Sequence, residues 1–460
     1  MASELEQTIS VGVDLQPQRR ATLLFVRMWA VAHILHLLIA NRNALDTPWN
    51  VAVVALALAV LLRPQNGRLV AAMLVAQLVE YVVEMPFSPD HWALVSFVNL
   101  ALLGTMAVRR STTVQTIEAA FPAMRAILLI AYGAAALSKW NTTFLDPITS
   151  CANAIAKVVT FGLIGPLGDS GILSTGATLT ESAVFLCLLI PRTRCWGVLL
   201  GLGFHFSLSS SPVMVVGDFT STVYALFLLF LAPEVTARAL DRIAGWASRS
   251  GVVRDARRRP PLTAVVFFAA LGLGGHLWPS AAGATLYVLE QFYFVTLLAC
   301  TAAAVVALRR GARLGAIRAY HLPVLILAVL WALNPYLGLR TTGSFTMFSN
   351  LRTEAPAPNH LFMPALRTLD WQKDMVTLRS SNDKELTTGA ERELAVPLGA
   401  LRRIAMDDPE LEVTGVLHGR STTWGPRDGQ TVLPPLSWWE YKLFLFRPVT
   451  TDGRPFCAQS

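Results

Sequence analysis

The sequence predicts an all-α polytopic membrane bundle of roughly 9–11 spans, each needing about 20 apolar residues, followed by a β-rich soluble domain on the outer side. Apolar residues make up 53% of the 460 residues, and charged residues only 15%, against about 25% in an ordinary globular domain. The mean hydropathy is +0.49. So few charges cannot cover a soluble fold, and an entirely soluble protein is therefore excluded. A change of composition after residue 340 predicts the second domain.

The predicted spans are apolar runs between arginine-rich breaks. Several runs are shorter than a full crossing, and the runs at 50–62 and 196–211 are the weakest of the predicted spans. The spans are predicted at residues 22–40, 50–62, 69–83, 92–108, 121–138, 177–190, 196–211, 213–231, 262–278, 285–308 and 322–339.

Basic residues predict the orientation, because lysine and arginine are enriched in cytoplasmic loops. Taken alternately, one set of breaks holds 19 basic residues, whereas the other set, before residue 340, holds only Arg42, Lys139 and Lys157. This asymmetry predicts a multi-pass protein of the plasma or inner membrane, with a cytoplasmic N-terminus and everything after residue 339 outside. The N-terminal tail has no basic region of the kind found in a cleaved signal peptide.

The net charge of +8 lies entirely in the membrane part, because residues 340–460 hold 14 basic and 14 acidic residues. The charge is therefore an orientation signal, and no nucleic-acid partner is predicted. Alternating runs at 375–379, 412–417 and 438–446 predict strands in the outer domain. The predicted domains are a cytoplasmic tail (1–20), a transmembrane bundle (21–235), a basic amphipathic cytoplasmic linker (236–261), C-terminal transmembrane helices (262–339) and the outer domain (340–460).

Cysteines and metal-binding patterns contribute little. Cys151 and Cys457 are both predicted on the outer side, so a disulfide between them is possible. Spacings typical of metal-binding or nucleotide-binding motifs do not occur, and no metal site is predicted.

Ionisable residues inside spans are costly and commonly mark function. The structural interpretation is a buried network in which Arg27 or Arg125 is neutralised by Glu80 or Glu181. The candidates are Arg27, His33, His36, Glu80, Glu84, Arg125, Glu181, His205, Asp218, His276 and Glu290.

Lys139 follows a run of small residues at the outer end of a predicted span and precedes Trp140. One interpretation is an interfacial anchor that extends to the lipid headgroups. The other is a lysine held out of water, where the ammonium form is disfavoured and the side chain can act as a general base. His91 lies in an outer loop, and His205 lies mid-span, where a satisfied core histidine is the plain interpretation.

Three segments together resemble the HTTM family, the family of the vitamin K-dependent gamma-glutamyl carboxylases. Residues 132–139 follow the family motif that ends in a base lysine, with Lys139 on that lysine. Residues 87–92 resemble the histidine motif, with His91 on the histidine and Asp90 replacing an asparagine. Phe204-His205 and the Gly217-Asp218-Phe219 segment resemble the third motif. The departures are Ala136 for a glycine, Ser138 for a lysine, Asn141 for an aspartate and Phe144 for a tryptophan.

The resemblance implies hydroquinone oxygenation coupled to γ-carboxylation of peptide glutamate. It implies Lys139 as the base and His91 as a hydrogen-bonding partner, with the cofactor contacted by His205, Asp90, Tyr132 and Trp140. The implied cofactor is a reduced quinone of the vitamin K or menaquinol type, with O2 and CO2 as co-substrates. The implied partners are membrane lipid and a glutamyl peptide or protein on the outer side. The alternative is a non-catalytic HTTM-type scaffold that binds lipid or a partner protein. A transporter is disfavoured because no inverted repeat is visible.

Overall fold

The computed structural model describes residues 2–39, 47–211, 216–249, 279–354, 358–364, 366, 374–450 and 457. This part of the chain is mostly helical, with a small sheet near the C-terminus. It forms two compact units that each draw on three stretches of sequence. The first unit comprises Met1–Glu80, Val95–Leu129 and Ser182–Leu325, and the second comprises Tyr81–Leu94, Ile130–Glu181 and Ile326–Ser460.

The helices are numbered in chain order. Helices α1–α11 cover Ala2–Ile39, Pro48–Leu62, Gly67–Glu84, Asp90–Arg109, Val114–Ser138, Thr142–Leu145, Cys151–Val159, Gly171–Leu189, Arg194–Ser209, Gly217–Leu228 and Pro233–Arg249. Helices α12–α16 cover Pro279–Leu308, Leu322–Leu337, Lys384–Glu391, Leu398–Asp407 and Trp438–Leu443. Two 3-10 helices lie at Gly165–Asp169 and Ala319–His321.

Six of the described helical segments are long and apolar enough to cross a membrane. They are Gln16–Leu38, Asp90–Arg109, Val114–Ser138, Gly171–Leu189, Gly283–Leu308 and Ala319–Leu337. The other apolar runs within the described residues also form helices, but α2, α3, α9 and α10 have only 15, 18, 16 and 12 residues. A 12-residue helix is about 18 Å long, shorter than the roughly 30 Å hydrocarbon core of a bilayer. The predicted span at 262–278 lies outside the described residues.

A buried hydrogen-bond network lies within the first unit. The Asn99 side chain accepts a hydrogen bond from Trp29 Nε1 at 2.8 Å and donates to Gln77 Oε1 at 2.8 Å. His33 Nδ1 lies 2.7 Å from the carbonyl oxygen of Trp29, and His33 Nε2 lies 3.2 Å from Asn99 Nδ2. Such mutual satisfaction removes the desolvation cost of buried polar groups. His33 therefore has the plain structural role of a satisfied core histidine.

The basic linker predicted at 236–261 begins as α11, and residues 250–261 lie outside the described part. Val235 and Ala239 are buried in α11, whereas Trp246 is 52% exposed. The helix therefore has a buried face and an exposed one, and the cytoplasmic location of the linker stays a prediction.

The second unit contains a sheet of five antiparallel strands. They are β1 (Met375–Ser381), β2 (Leu394–Pro397), β3 (Val413–Leu417), β4 (Arg420–Trp424) and β5 (Val449–Thr450), and their order in the sheet is β4-β3-β1-β2-β5. Helices α14 and α15 contribute Leu386 and Leu401 to its core. The strands predicted at 375–379 and 412–417 are confirmed. The strand predicted at 438–446 is wrong: α16 forms there, because Ser437 and Glu440 make a reciprocal capping box.

Candidate functional site

Lys139 lies in the turn that follows α5 and is covered by protein, with 4% of the residue exposed. Its Nζ lies 2.7 Å from Glu181 Oε2 and donates to the carbonyl oxygens of Met347 at 3.1 Å and Ala135 at 3.4 Å. A lysine that anchors a protein at the membrane surface extends its ammonium outward. The geometry of Lys139 does not fit such an anchor, because its Nζ is directed into the second unit.

Glu181 belongs to α8, and 12% of its side chain is exposed. Ser174 lies two helical turns earlier on the same face, and its hydroxyl donates to the Leu145 carbonyl oxygen at 3.5 Å. This face of α8 therefore packs against the chain that follows α5. The structural interpretation that pairs Glu181 with Arg27 or Arg125 is wrong for Glu181, whose cation is Lys139. Arg125 instead donates to carbonyl oxygens of the first unit, among them that of Leu229 at 2.7 Å.

Aromatic side chains surround the pair. Tyr132 lies two turns before Lys139 on the same face of α5, is 6% exposed and interacts electrostatically with Glu181. The Lys139 Nζ lies 5.7 Å from the centre of the buried Phe144 ring. The Trp140 ring lies 6.1 Å from the exposed Phe362 ring, at the exposed edge of this region. Tyr132 and Phe144 thus help to exclude water from the ion pair, whereas Trp140 is only partly buried.

Asp90 and His91 begin α4 and are both buried, with 6% and 7% exposed. Asp90 Oδ2 accepts a hydrogen bond from the Thr346 backbone N–H at 2.9 Å. Thr346 directly precedes Met347, whose carbonyl oxygen accepts from Lys139. The structure therefore brings Asp90 and Lys139 to one short segment of the second unit, and His91 follows Asp90 in the first turn of α4. Tyr132 belongs to the same region, because it interacts with Glu181, the ion-pair partner of Lys139.

That segment, residues 341–354, has an irregular and largely buried backbone. Phe345, Phe348 and Asn350 have positive φ values of 60°, 48° and 54°, a region that side chains larger than glycine rarely occupy. Buried backbone groups outside regular structure need side-chain partners. Here Asp90, Lys139 and Asn141 supply them, the last through Nδ2 to the Ser349 carbonyl oxygen at 2.6 Å.

Two arginines, the buried Arg340 and the partly buried Arg447, also hold this segment. The Arg447 guanidinium donates to the Thr341 carbonyl oxygen at 2.8 Å, and that of Arg340 donates to the Thr342 carbonyl oxygen at 2.6 Å. Burial lowers the pKa of Arg447, and the charges of Asp90 and Glu354 oppose that shift. Burial raises the pKa of Glu354, against the effect of hydrogen bonds and of Arg447.

His205 lies in the first unit, near the end of α9, with 3% exposed. Its ring makes an edge contact with Phe219 at 4.9 Å between centroids and lies 5.9 Å from the Phe227 ring. Its carbonyl oxygen accepts from the Thr220 hydroxyl at 3.3 Å. The role of His205 in cofactor binding stays a prediction.

Sequence reasoning did not predict several of the residues that contact Lys139 or segment 341–354. Asn141 appeared only as a departure from a motif, and Glu181 only as one of many ionisable residues. The sequence did signal Glu181 as a lone carboxylate in an apolar run, but not its partner. The others are Met347, Arg340 and Arg447.

Cys151 and Cys457, whose pairing the sequence left open, form a disulfide. The Cys151 backbone N–H donates to Asn350 Oδ1 at 2.7 Å. The disulfide therefore links the C-terminal end of the chain to the helix that contacts the buried segment.

Comparison with known proteins yields no match to any protein-family model, curated protein or solved structure. The HTTM resemblance accordingly stays a prediction. The chemistry of the site can be judged on its own donors and acceptors. A hydroquinone needs an acceptor for a hydroxyl proton, a cation beside its oxygen and apolar surroundings. The carboxylate of Glu181, the amine of Lys139 and the rings of Tyr132 and Phe144 fit those needs.

Proposed function

We propose that the protein is an integral membrane quinol-dependent carboxylase or a close relative, which carboxylates peptide glutamate at the γ-carbon. The observation that carries the proposal is the ion pair of Lys139 and Glu181, 2.7 Å apart and 5% and 12% exposed. Ion pairs removed from water are costly, and polar hydrogen-bonded groups within spans are commonly functional. The resemblance of the segments around Lys139 and His91 to the HTTM motifs supports the same chemistry.

The cofactor is needed because no ordinary side-chain base removes the γ-proton of glutamate. When bound, a reduced quinone supplies, with O2, a base strong enough for that step, after which CO2 is added. The protein contributes the first proton transfer, which we assign to the pair of Lys139 and Glu181. His91 is proposed to donate or accept a hydrogen bond at a quinone oxygen, and Asp90, Tyr132 and Trp140 to contact the quinone. Exclusion of water by Tyr132 and Phe144 protects the strong base from being quenched.

We further propose that the N-terminus is cytoplasmic and that the C-terminal sheet region lies outside. The excess of basic residues in alternate loops supports this orientation. The disulfide of Cys151 and Cys457 also supports it, because disulfides persist in oxidising compartments. A glutamyl peptide would then reach the site from the outer side, and a lipophilic quinone from the bilayer.

The test supplies membranes containing the protein with reduced menaquinone or vitamin K, a glutamyl peptide and labelled CO2. We expect label in the peptide and formation of quinone epoxide. Lys139→Ala should abolish both, whereas Lys157→Ala should leave both unchanged. Lys157 is the matched control, because it pairs with Asp169 at 2.6 Å with 46% of its side chain exposed. Full activity of Lys139→Ala would refute the assignment of the site.

The second candidate function is a non-catalytic scaffold that binds lipid or a partner protein. One observation favours it: Lys139 and Asp90 each bind the backbone of the buried segment 341–354, which is a sufficient structural reason for both residues. The scaffold predicts no quinone epoxide with any glutamyl peptide. It also predicts that Lys139→Ala lowers thermal stability and that neither the wild type nor this variant forms quinone epoxide.

A further inference from the structure

We infer that Glu181 accepts the proton in this site and that Lys139 remains positively charged beside the oxygen that loses it. This inference rests on the proposed function and assigns the two roles within its ion pair. It reverses the role that the HTTM resemblance implies for the lysine.

The contacts of Lys139 are those of an ammonium. An ammonium carries three N–H donors and no acceptor, whereas a free amine carries two donors and one lone pair. All three oxygens near Nζ are acceptors: Glu181 Oε2 at 2.7 Å, the Met347 carbonyl oxygen at 3.1 Å and the Ala135 carbonyl oxygen at 3.4 Å. A free amine in this place would direct its lone pair at one of these oxygens, which is repulsive. Nζ therefore donates to the two carbonyl oxygens, and its third and shortest contact is an ion pair with the carboxylate, which a free amine would not make.

Glu181 is the group with capacity to receive a proton. An ionised carboxylate has about four lone-pair sites, and the contact with Lys139 uses one. The two carbonyl oxygens at Lys139 are peptide groups and are not proton acceptors at ordinary pH. Tyr132, the other ionisable group that interacts with Glu181, is neutral when it carries its hydroxyl proton. The carboxylate of Glu181 is thus the group at this site that can accept a proton.

The proton transfer balances in charge. The O–H bond of an aromatic hydroxyl breaks, and its proton bonds to a carboxylate oxygen of Glu181. The electron pair stays on the hydroxyl oxygen, whose negative charge takes the place of the carboxylate charge next to Lys139. The net charge of the site is the same before and after, so no charge is left uncompensated in apolar surroundings.

The roles are separated by Lys139→Arg, because arginine keeps the positive charge and cannot be deprotonated in proteins. If Glu181 is the acceptor, Lys139→Arg retains part of the quinone epoxide formation, whereas Lys139→Met loses it. Glu181→Gln should lower the rate by about 100-fold or more, the usual contribution of a positioned general base. Glu181→Asp should recover part of that loss, since it restores the carboxylate.

A second measurement does not depend on turnover. Purified protein in detergent is titrated with 1-naphthol, and the absorbance of its ionised form is followed against pH. Lys139 is expected to favour ionised naphthol, so the bound probe should ionise at lower pH than in solution, and Lys139→Met should remove this shift. Glu181→Gln should enlarge the shift, because the cation then lacks its competing carboxylate. The same variant thus raises naphthol ionisation and lowers turnover, a combination that a purely structural role does not produce.

Two outcomes overturn the inference. One is full epoxide formation by Glu181→Gln. The other is a folded Lys139→Arg as inactive as Lys139→Met, together with naphthol ionisation that Glu181→Gln does not increase. Failure of the proposed function is distinguishable: the wild type would form no epoxide, while the naphthol titration would still report the charge of Lys139 and the effect of Glu181.

Discussion

At the scale of single residues, Asn141 holds the turn after Lys139 from two sides. Its Oδ1 accepts from the backbone N–H of Thr143 at 3.1 Å and Phe144 at 2.8 Å, and caps α6. Its Nδ2 donates to the carbonyl oxygens of Ser138 at 2.7 Å and Ser349 at 2.6 Å. Asn141 is fully buried. One side chain therefore fixes both the position of Lys139 and the segment that contacts it.

Asn141→Ala should lower the free energy of unfolding by about 2–4 kcal/mol, since it removes a helix cap and leaves buried carbonyl oxygens without donors. The measurement is thermal unfolding in detergent. Asp383→Ala is the control, because the Asp383 carboxylate caps α14 by accepting from the Leu386 N–H at 2.8 Å and, unlike Asn141, has no side-chain N–H to donate to a second segment. Equal losses in the two variants would contradict the two-sided role of Asn141.

Glu354 makes the second unit sensitive to pH. Burial raises its pKa above the ordinary 4.5, so the folded state binds its proton more tightly than the unfolded chain. The resulting stabilisation is fully present below pH 4.5 and is lost as the pH rises through the raised pKa. Glu354→Gln should remove this loss, so the difference in stability between variant and wild type should grow with pH. Thermal unfolding at a series of pH values measures it, and a difference independent of pH would contradict the prediction.

Sequence reasoning singled out Lys139, His91 and Asp90 because each interrupts a pattern. Lys139 is a lone lysine at the predicted outer end of a span, and Asp90 and His91 are a polar pair before an apolar run. It did not find the ion pair. Lys139 and Glu181 are separated by two helices and a 3-10 turn, and periodicity within one helix carries no information on which side chain of another helix it meets. The assignment of Glu181 to an arginine failed for that reason.

At the scale of elements, the buried segment 341–354 depends on backbone conformations that few residues tolerate. Gly343 has φ +72°, and a Cβ there would lie closer to the Arg340 guanidinium than van der Waals contact allows. Arg340 also stacks on the Trp331 ring at 4.9 Å. The glycine and the arginine are thus packed together at the start of the segment.

Gly343→Ala should destabilise the protein by more than Gly429→Ala. Both glycines are left-handed, with φ +72° and +84°, but no atom lies within 4 Å of a Cβ at Gly429. The control therefore reports backbone strain alone, about 1 kcal/mol, whereas Gly343→Ala adds displacement of Arg340. Thermal unfolding of the two variants gives the comparison, and an equal effect would show that the space around Gly343 can adjust.

The elements themselves were partly predictable. Apolar length predicted the six long helices, and alternation predicted β1 and β3. Alternation misled at 438–446, where two tryptophans and two phenylalanines with a tyrosine between them favour a strand by composition. The local signal for a helix was Ser437 three residues before Glu440, a capping box whose two hydrogen bonds satisfy backbone N–H groups at a helix start.

At the scale of the whole molecule, the proposed orientation can be measured with single exposed cysteines. Thr388→Cys lies in α14 of the second unit, and Gln65→Cys lies in the turn between α2 and α3. In intact cells a membrane-impermeant maleimide should label Thr388→Cys, while Gln65→Cys should react only after permeabilisation. Cys187, Cys195 and Cys300 are free and are replaced by serine or alanine in both variants. Labelling of Gln65→Cys in intact cells would reverse the assigned sides.

The contact between Lys139 and the Met347 carbonyl oxygen joins residues 208 positions apart. At a synthesis rate of about 5–20 residues per second, roughly 10–40 s separate the two residues on the ribosome. Until residues 346 and 347 have been made, Lys139 and Asp90 lack the backbone partners that they have in the folded protein. A segment made about 200 residues later thus completes the surroundings of Lys139, so a chain that ends before Met347 leaves Nζ without this acceptor.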